Sequence, residues 1–357
     1  MAVAYVLEQN TTVRLEGERL IVERKKQVLH ALHIFKLSQI IVVGNVSLTP
    51  PVVFRLLRDG IDTVFMSRNG KYLGRLQPLM SKNITLRCEQ FDRLRDEEFS
   101  LKMARSFVEG KLANMRATLM RINRNRENAR LGKEIGKIKK ISNRVSKADN
   151  LNSLRGFEGQ GSAVYFEGFS RGFITEEITF KKRVKRPPTD PVNALLSLGY
   201  TFLLNNVMSA VCLVGFDPYL GSLHAVEYGR PSLVLDLMEE WRPIVVDSLV
   251  LSAINLKAIT LEDFKIRPCD EEEINCYRQN NDQPDEPADT SSTLPVRLTD
   301  DGFRKFVVQF ERKMNQKIKH EATGQQLSYR DCIREQVRHF ARVIRGEEKD
   351  YKPMVLR

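Results

Sequence analysis

Near Asn83 the hydrophobic pattern of this 357-residue chain changes period, and that change limits the folds open to it. Before it, apolar residues come in short β-branched runs between turn signals. After it, they recur at helical spacing with few strand signals. A chain of this length can bury two cores. The expectation is an α+β protein. A small N-terminal β-rich domain covers 1–80, a linker covers 81–90, and a larger all-α domain covers 91–357, with a loose acidic, proline-bearing loop at 280–293.

Within the first region, V-R-L and R-L-I-V-E flank the turn Glu16-Gly17-Glu18. Ile34 to Val43 is a further β-branched stretch. Pro50 to Asp59 reads as a short helix stopped by Gly60. I-D-T-V-F-M-S reads as a buried strand, with a hairpin turn at Asn69-Gly70. In the second region helices are expected over Gly159–Phe173, Pro191–Val214, Ser232–Lys257, Asp301–His320 and Ser328–Arg345.

Charge narrows the partners. The formal net charge is +12, which favours a polyanion, nucleic acid first. Lys111 to Asn150 is the densest stretch, with twelve Lys or Arg against Glu127, Glu134 and Asp149. It reads either as a solvated helical face or as a phosphate-binding stripe. In the second case Arg121, Arg124, Lys137, Lys139 and Lys140 contact phosphates without reading sequence. The cluster Lys181 to Arg186, with Arg183 and Arg186, admits the same two readings. No membrane role is expected, because no apolar run is read as long enough to span a bilayer. The start, M-A-V-A-Y-V-L-E-Q-N, lacks the layout of a signal peptide, so a cytoplasmic protein is expected. Five widely spaced cysteines include no zinc-type pair and receive no role.

The segment Gly221 to Pro243 carries the densest chemistry. His224 precedes a helix on which Asp236 and Glu239 lie three apart, on one face. Pro231 suits the helix start and Pro243 limits its run. The carboxylates can complement the helix dipole and pair with Arg230 and Arg242, or they can join His224 in a hard-metal site. Earlier in the chain, Glu158 sits between Gly156 and Gly159, ahead of a helix bearing Tyr165. It is a cap or a second acidic site. Asp190 and Pro191 open the helix that carries Asn193.

Taken in order, these segments resemble the CRISPR-associated integrase-endonuclease family, the spacer-acquisition integrase of prokaryotic immunity. The motifs are E-G-x-x-x-x-x-Y-F at Glu158, R-P-P-T-D-P-V-N at Arg186, G-F-D-P-Y-L-G-S-L-H at Gly215 and G-R-P-S-L-V-L-D-L-M-E-E-W-R-P at Gly229. Trp241 stands where a phenylalanine is expected. The resemblance implies that the head dimerises and that the helical body is an all-α catalytic domain. It implies that Glu158, His224 and Glu239 ligate Mg2+ or Mn2+, with Asp236 a further acidic catalytic candidate. Tyr165, Asn193, Arg230 and Arg242 become auxiliary candidates for phosphate or the metal surroundings. The implied activity is metal-dependent DNA integration and endonuclease cleavage, inserting new spacers into a CRISPR array by transesterification. The implied partners are DNA (prespacer ends and the CRISPR repeat) and a small companion adaptation protein, around a homodimer within a larger complex. The alternative is a non-catalytic, sequence-independent DNA-binding scaffold whose carboxylates only brace helices.

Overall fold

A computed structural model describes residues 2–77, 83–175, 177–184, 188–266, 295–320 and 323–356. The chain divides into two compact units, 1–81 and 82–357. The acidic loop expected at 280–293 lies outside the described residues, as do Cys269 and Cys276. Cys88, Cys212 and Cys332 are free thiols.

The first unit holds two four-stranded sheets. One has the order β1 (Ala2–Val6), β5 (Leu37–Val43), β7 (Asp62–Met66), β8 (Tyr72–Leu76), parallel across its first three strands. The other has the order β4 (Gln27–His33), β3 (Arg19–Arg24), β2 (Thr11–Glu16), β6 (Val46–Leu48). Both turn signals hold: β2 and β3 form a hairpin, and so do β7 and β8. Helix α1 (Pro50–Arg58) inserts Val52 and Leu56 between strand residues. Val6, Val13, Leu20, Val22, Ile40 and Val42 complete that core.

The second unit is helical. Its spine is α3 (Glu97–Asn125), a 29-residue helix capped by Asp96, whose side chain accepts from Phe99 N at 2.8 Å. Helices α4 (Gly132–Val145) and α5 (Leu151–Ser170) pack against it. Helix α6 (Pro191–Val214) packs on α7 (Ser232–Met238), on a π-helical turn at Arg242–Asp247 and on α10 (Tyr329–Ile344). Helices α8 (Ser248–Asn255) and α9 (Asp300–Asn315) complete the described bundle.

Five details differ from the sequence reading. The expected linker at 81–90 is mostly helix α2 (Ile84–Arg95), because Asn83 caps it and Leu86, Gln90 and Leu94 are buried. The body also carries two small antiparallel ribbons, β9 (Phe264–Ile266) with β10 (Val296–Leu298) and β11 (Lys317–Lys319) with β12 (Gln326–Ser328). The second of these ends the expected helix Asp301–His320 at Asn315. Helix α5 begins at Leu151, not Gly159, because Asn150 caps it by accepting from Ser153 N. The run Ser232–Lys257 is broken, because Pro243 removes a helical donor and crowds the preceding turn, which widens into the π segment. Finally, α6 is long and apolar enough to cross a bilayer by length and composition, although no such run was expected. Half of its most apolar window is buried among its neighbours, which accounts for that composition.

Candidate active site

Each element delivers one part of a buried charged cluster. The loop after α6 folds back on α7 because Gly221 has no side chain. A Cβ there would meet Asp236 Oδ2 at 2.6 Å and the backbone of Ser232 at 2.6 Å. That approach lets Asp236 Oδ2 accept from Ser222 N at 2.5 Å and Leu223 N at 2.9 Å, while Oδ1 accepts from His224 N at 2.9 Å. The same Oδ1 lies 2.6 Å from His224 Nδ1. An ionised carboxylate only accepts, so the hydrogen is assigned to Nδ1. His224 Nε2 is the nitrogen left to face Glu239, 3.9 Å from its Oε1.

Helix α5 reaches the same place from the other side. At Gly161 it runs so close to α3 that a Cβ would lie 2.3 Å from Leu112 Cδ2. This contact seats Glu158 beside Lys111. The Lys111 ammonium meets Glu158 Oε1 and lies 2.6 Å from Glu239 Oε2. Ser162 Oγ donates to Glu158 Oε1 at 2.9 Å, and Arg242 Nε donates to Glu239 Oε1 at 2.9 Å. Burial alone would raise Glu239. Arg242, Lys111 and His224 outweigh it and hold that carboxyl at about 2. Burial also acts to raise Glu158, but Lys111 leaves it below the usual carboxylate range. Lys111 in turn is held above its ordinary value, since the two glutamates outweigh its burial.

Arg242 stacks over Tyr200, 4.8 Å from the ring centroid. Tyr200 donates to Asp247 Oδ1 at 2.6 Å. Burial pushes Asp247 up to about 6, against the pull of Tyr200, Tyr165 and the two arginines Arg242 and Arg183. The Tyr165 hydroxyl lies beside Asp247 in a fully buried aromatic stack with Phe169, without a hydrogen bond of normal geometry.

The structure thus brings Glu158, His224, Asp236 and Glu239 into one cluster. Among the described residues no three His, Cys, Asp or Glu side chains already form a metal cage, and Lys111 stands between the two glutamates instead. The donor set still fits a divalent ion. Glu158 and Glu239 supply oxygens, and His224 presents Nε2 with Nδ1 anchored on a carboxylate, the arrangement that orients imidazole ligands. Asp236 does not fit as a ligand, because both its oxygens are committed to the loop and to His224.

Other candidates are corrected. Asn193 holds a loop: its Oδ1 accepts from Arg183 Nη1 at 2.8 Å and Val184 N at 2.9 Å, and its Nδ2 donates to Lys182 O at 2.9 Å. Arg183 faces inward, with Nη2 on Ser197 Oγ at 2.9 Å, so it is not offered to DNA. Arg186 lies outside the described residues. Arg230 is buried and pairs with Glu227 at 3.2 Å, not with Asp236. Arg121, Arg124, Lys139 and Lys140 are exposed, and Lys137 is half-buried. Lys111 and Ser162 were missed. A signal existed for Lys111: it falls on the apolar stripe of α3 with Phe107, Val108 and Met115.

A sequence model of the family described as "CRISPR associated protein Cas1" matches residues 4–274. The chain is 34% identical, over 100% of its own length and 98% of the other, to a CRISPR-associated endonuclease Cas1 of Thermus thermophilus. It is 32% identical to a Cas4 exonuclease/Cas1 endonuclease fusion of Geobacter sulfurreducens, over 99% of this chain and 60% of the fusion. Among solved structures it resembles a casposase bound to integration product (TM-score 0.83, 21% identity, 100% of this chain and 95% of that one). It also resembles a Cas1 protein from Thermotoga maritima (TM-score 0.78, 22% identity, 98% and 99%). Likeness at those identities concerns the fold alone.

Proposed function

This chain belongs to the CRISPR-associated Cas1 family, and from that premise we propose that it is a divalent-metal-dependent DNA integrase and endonuclease. The observation that carries the reading is the pairing of His224 with Asp236 beside the buried Glu239 and the half-buried Glu158. Helix-bracing carboxylates, the scaffold alternative, would need cations but not an imidazole oriented toward them. Glu158, Glu239 and His224 Nε2 would hold the ion, Mg2+ or Mn2+. Bound there, it would supply charge neutralisation at a phosphodiester.

The protein's own contribution is orientation and exclusion of water. Asp236 keeps the imidazole in one tautomer, and Arg242 fixes Glu239 from the side of α6. The reaction is transesterification. A DNA 3′-hydroxyl attacks a phosphorus at the CRISPR repeat boundary, a new P–O bond forms, and the bond to the leaving 3′-oxygen breaks. Water as the nucleophile gives endonuclease cleavage. The partners in this reading are prespacer DNA, the repeat and a small companion adaptation protein. Two solved structures that share this fold belong to Cas6-RT-Cas1–Cas2 complexes.

The test is strand transfer of labelled DNA ends into a repeat-bearing plasmid, with the companion protein and Mg2+ or Mn2+. Alanine at Glu158, His224 or Glu239 should each abolish transfer with the fold intact by circular dichroism, and chelation should do the same. Undiminished transfer by His224→Ala, or in excess chelator, would overturn the reading.

A further inference from the structure

Lys111 has no part in the reaction just described, yet it touches both glutamates assigned to the metal. Its ammonium meets Glu158 Oε1 and lies 2.6 Å from Glu239 Oε2. It is 6% exposed, and it projects from the middle of a helix fixed by α4 and α5. Its place is therefore set by the scaffold. The formal charges of Glu158 and Glu239 are balanced by Lys111 and Arg242 without any metal. Arg242 binds Glu239 Oε1, the oxygen nearer His224, whereas Lys111 binds the oxygens that link the two glutamates. A divalent ion needs those oxygen lone pairs at about 2.0–2.6 Å. An ammonium on the same atoms would stand within a few ångströms of it, where like charges repel strongly in a water-poor site.

We propose that the Lys111 ammonium occupies the space between Glu158 and Glu239 that a divalent ion would take, so that metal binding requires its displacement and Lys111 sets the metal affinity of the DNA-free protein. The inference rests on the metal-site reading above. It makes Lys111 a resident counter-ion that keeps the two carboxylates together before metal arrives, and a competitor once metal is present.

The test uses the full chain without DNA and Mn2+ alone as the probe, followed by calorimetric titration and by the rise in Tm on adding Mn2+. Lys111→Met should bind Mn2+ at least about tenfold more tightly than the unaltered chain, melt lower without metal, and gain more in Tm from it. Lys111→Arg, which keeps the charge, should retain the weaker affinity. Should Lys111→Met not fold without metal, Lys111→Gln retains a polar donor and removes the charge, and it should show the same tightening. Unchanged or weaker Mn2+ affinity in the neutral variants overturns the proposal. Glu158→Ala separates the two levels. If neither the unaltered chain nor Lys111→Met shows Mn2+ binding that Glu158→Ala removes, the metal-site reading fails and takes this proposal with it. If such binding is present, and the neutral variants bind no tighter than the unaltered chain, only the role of Lys111 falls.

Discussion

Glu239 and Glu240 are neighbours in sequence with opposite fates. Arg242 and Lys111 hold Glu239 ionised against its burial, at about 2. Glu240 is instead held by neutral donors, Tyr351, Gln336 and the Met354 amide. Tyr351 donates to its Oε1 at 2.9 Å and Met354 N to its Oε2 at 2.9 Å, and burial still pushes it up to about 8. An acid raised from 4.5 to about 8 on folding binds its proton more tightly in the folded state. Its contribution is fully present below about pH 4.5 and is lost as pH rises through about 8, a change on the order of a few kcal/mol. Glu240→Gln should therefore flatten the fall of Tm between pH 5 and pH 8.5. Parallel Tm profiles for the two proteins would show that Glu240 is ionised throughout.

Helices α3 and α4 carry most of the basic stretch, and the bundle sorts its residues by depth. Lys111 is buried in the site, while Arg121, Arg124, Lys139 and Lys140 face solvent. If those four bind phosphates, their joint replacement by alanine should weaken binding to all duplexes alike. It should also flatten the log–log salt slope by roughly 0.9 per contact removed. An unchanged slope would make them a solvated face. The π turn at Arg242–Asp247 is the other element that matters here. It places Arg242 against Glu239 and Asp247 under Tyr200, in a stretch where periodicity alone predicts an unbroken helix.

Both units leave large apolar side chains uncovered, among them Leu213, Tyr228 and Leu256 in the second. In the first, Phe35 and Phe54 are each 68% exposed and Leu73 is 61% exposed, large apolar groups for a small sheet domain. A homodimer formed through this unit would bury them. The full chain should then sediment as a dimer, and the pair Phe54→Glu and Leu73→Glu should shift it toward monomer while helix α1 and strand β8, which carry them, stay folded. A concentration-independent monomer before substitution would contradict this. The second unit holds every residue of the candidate site, so the substitution should leave the environment of Glu158 and Glu239 unchanged.

Local signals carried the strands β2, β3, β5, β7 and β8 of the head, the α1 helix and the start of α6, because capping residues, turn glycines and hydrophobic period act over a few neighbours; β1, β4 and β6 were not read from the sequence. Asp190 and Pro191 mark α6 unaided. The start of α5 at Leu151 is likewise a local matter that the Asn150 cap already marks. Ordered motifs were enough to single out Glu158, His224, Asp236 and Glu239. They could not separate ligand from support, since that depends on which atoms Asp236 spends on backbone amides across the Gly221 approach. They could not find Lys111 as a partner of Glu158 either, 47 positions away. Nor could they turn Arg183 inward. Those outcomes are decided by long-range packing: the Gly161 contact with Leu112, the loop folded on α7, and the widened turn at Pro243 set which charges share one buried volume, and there a cation's worth depends on distance and depth, which a sequence does not contain.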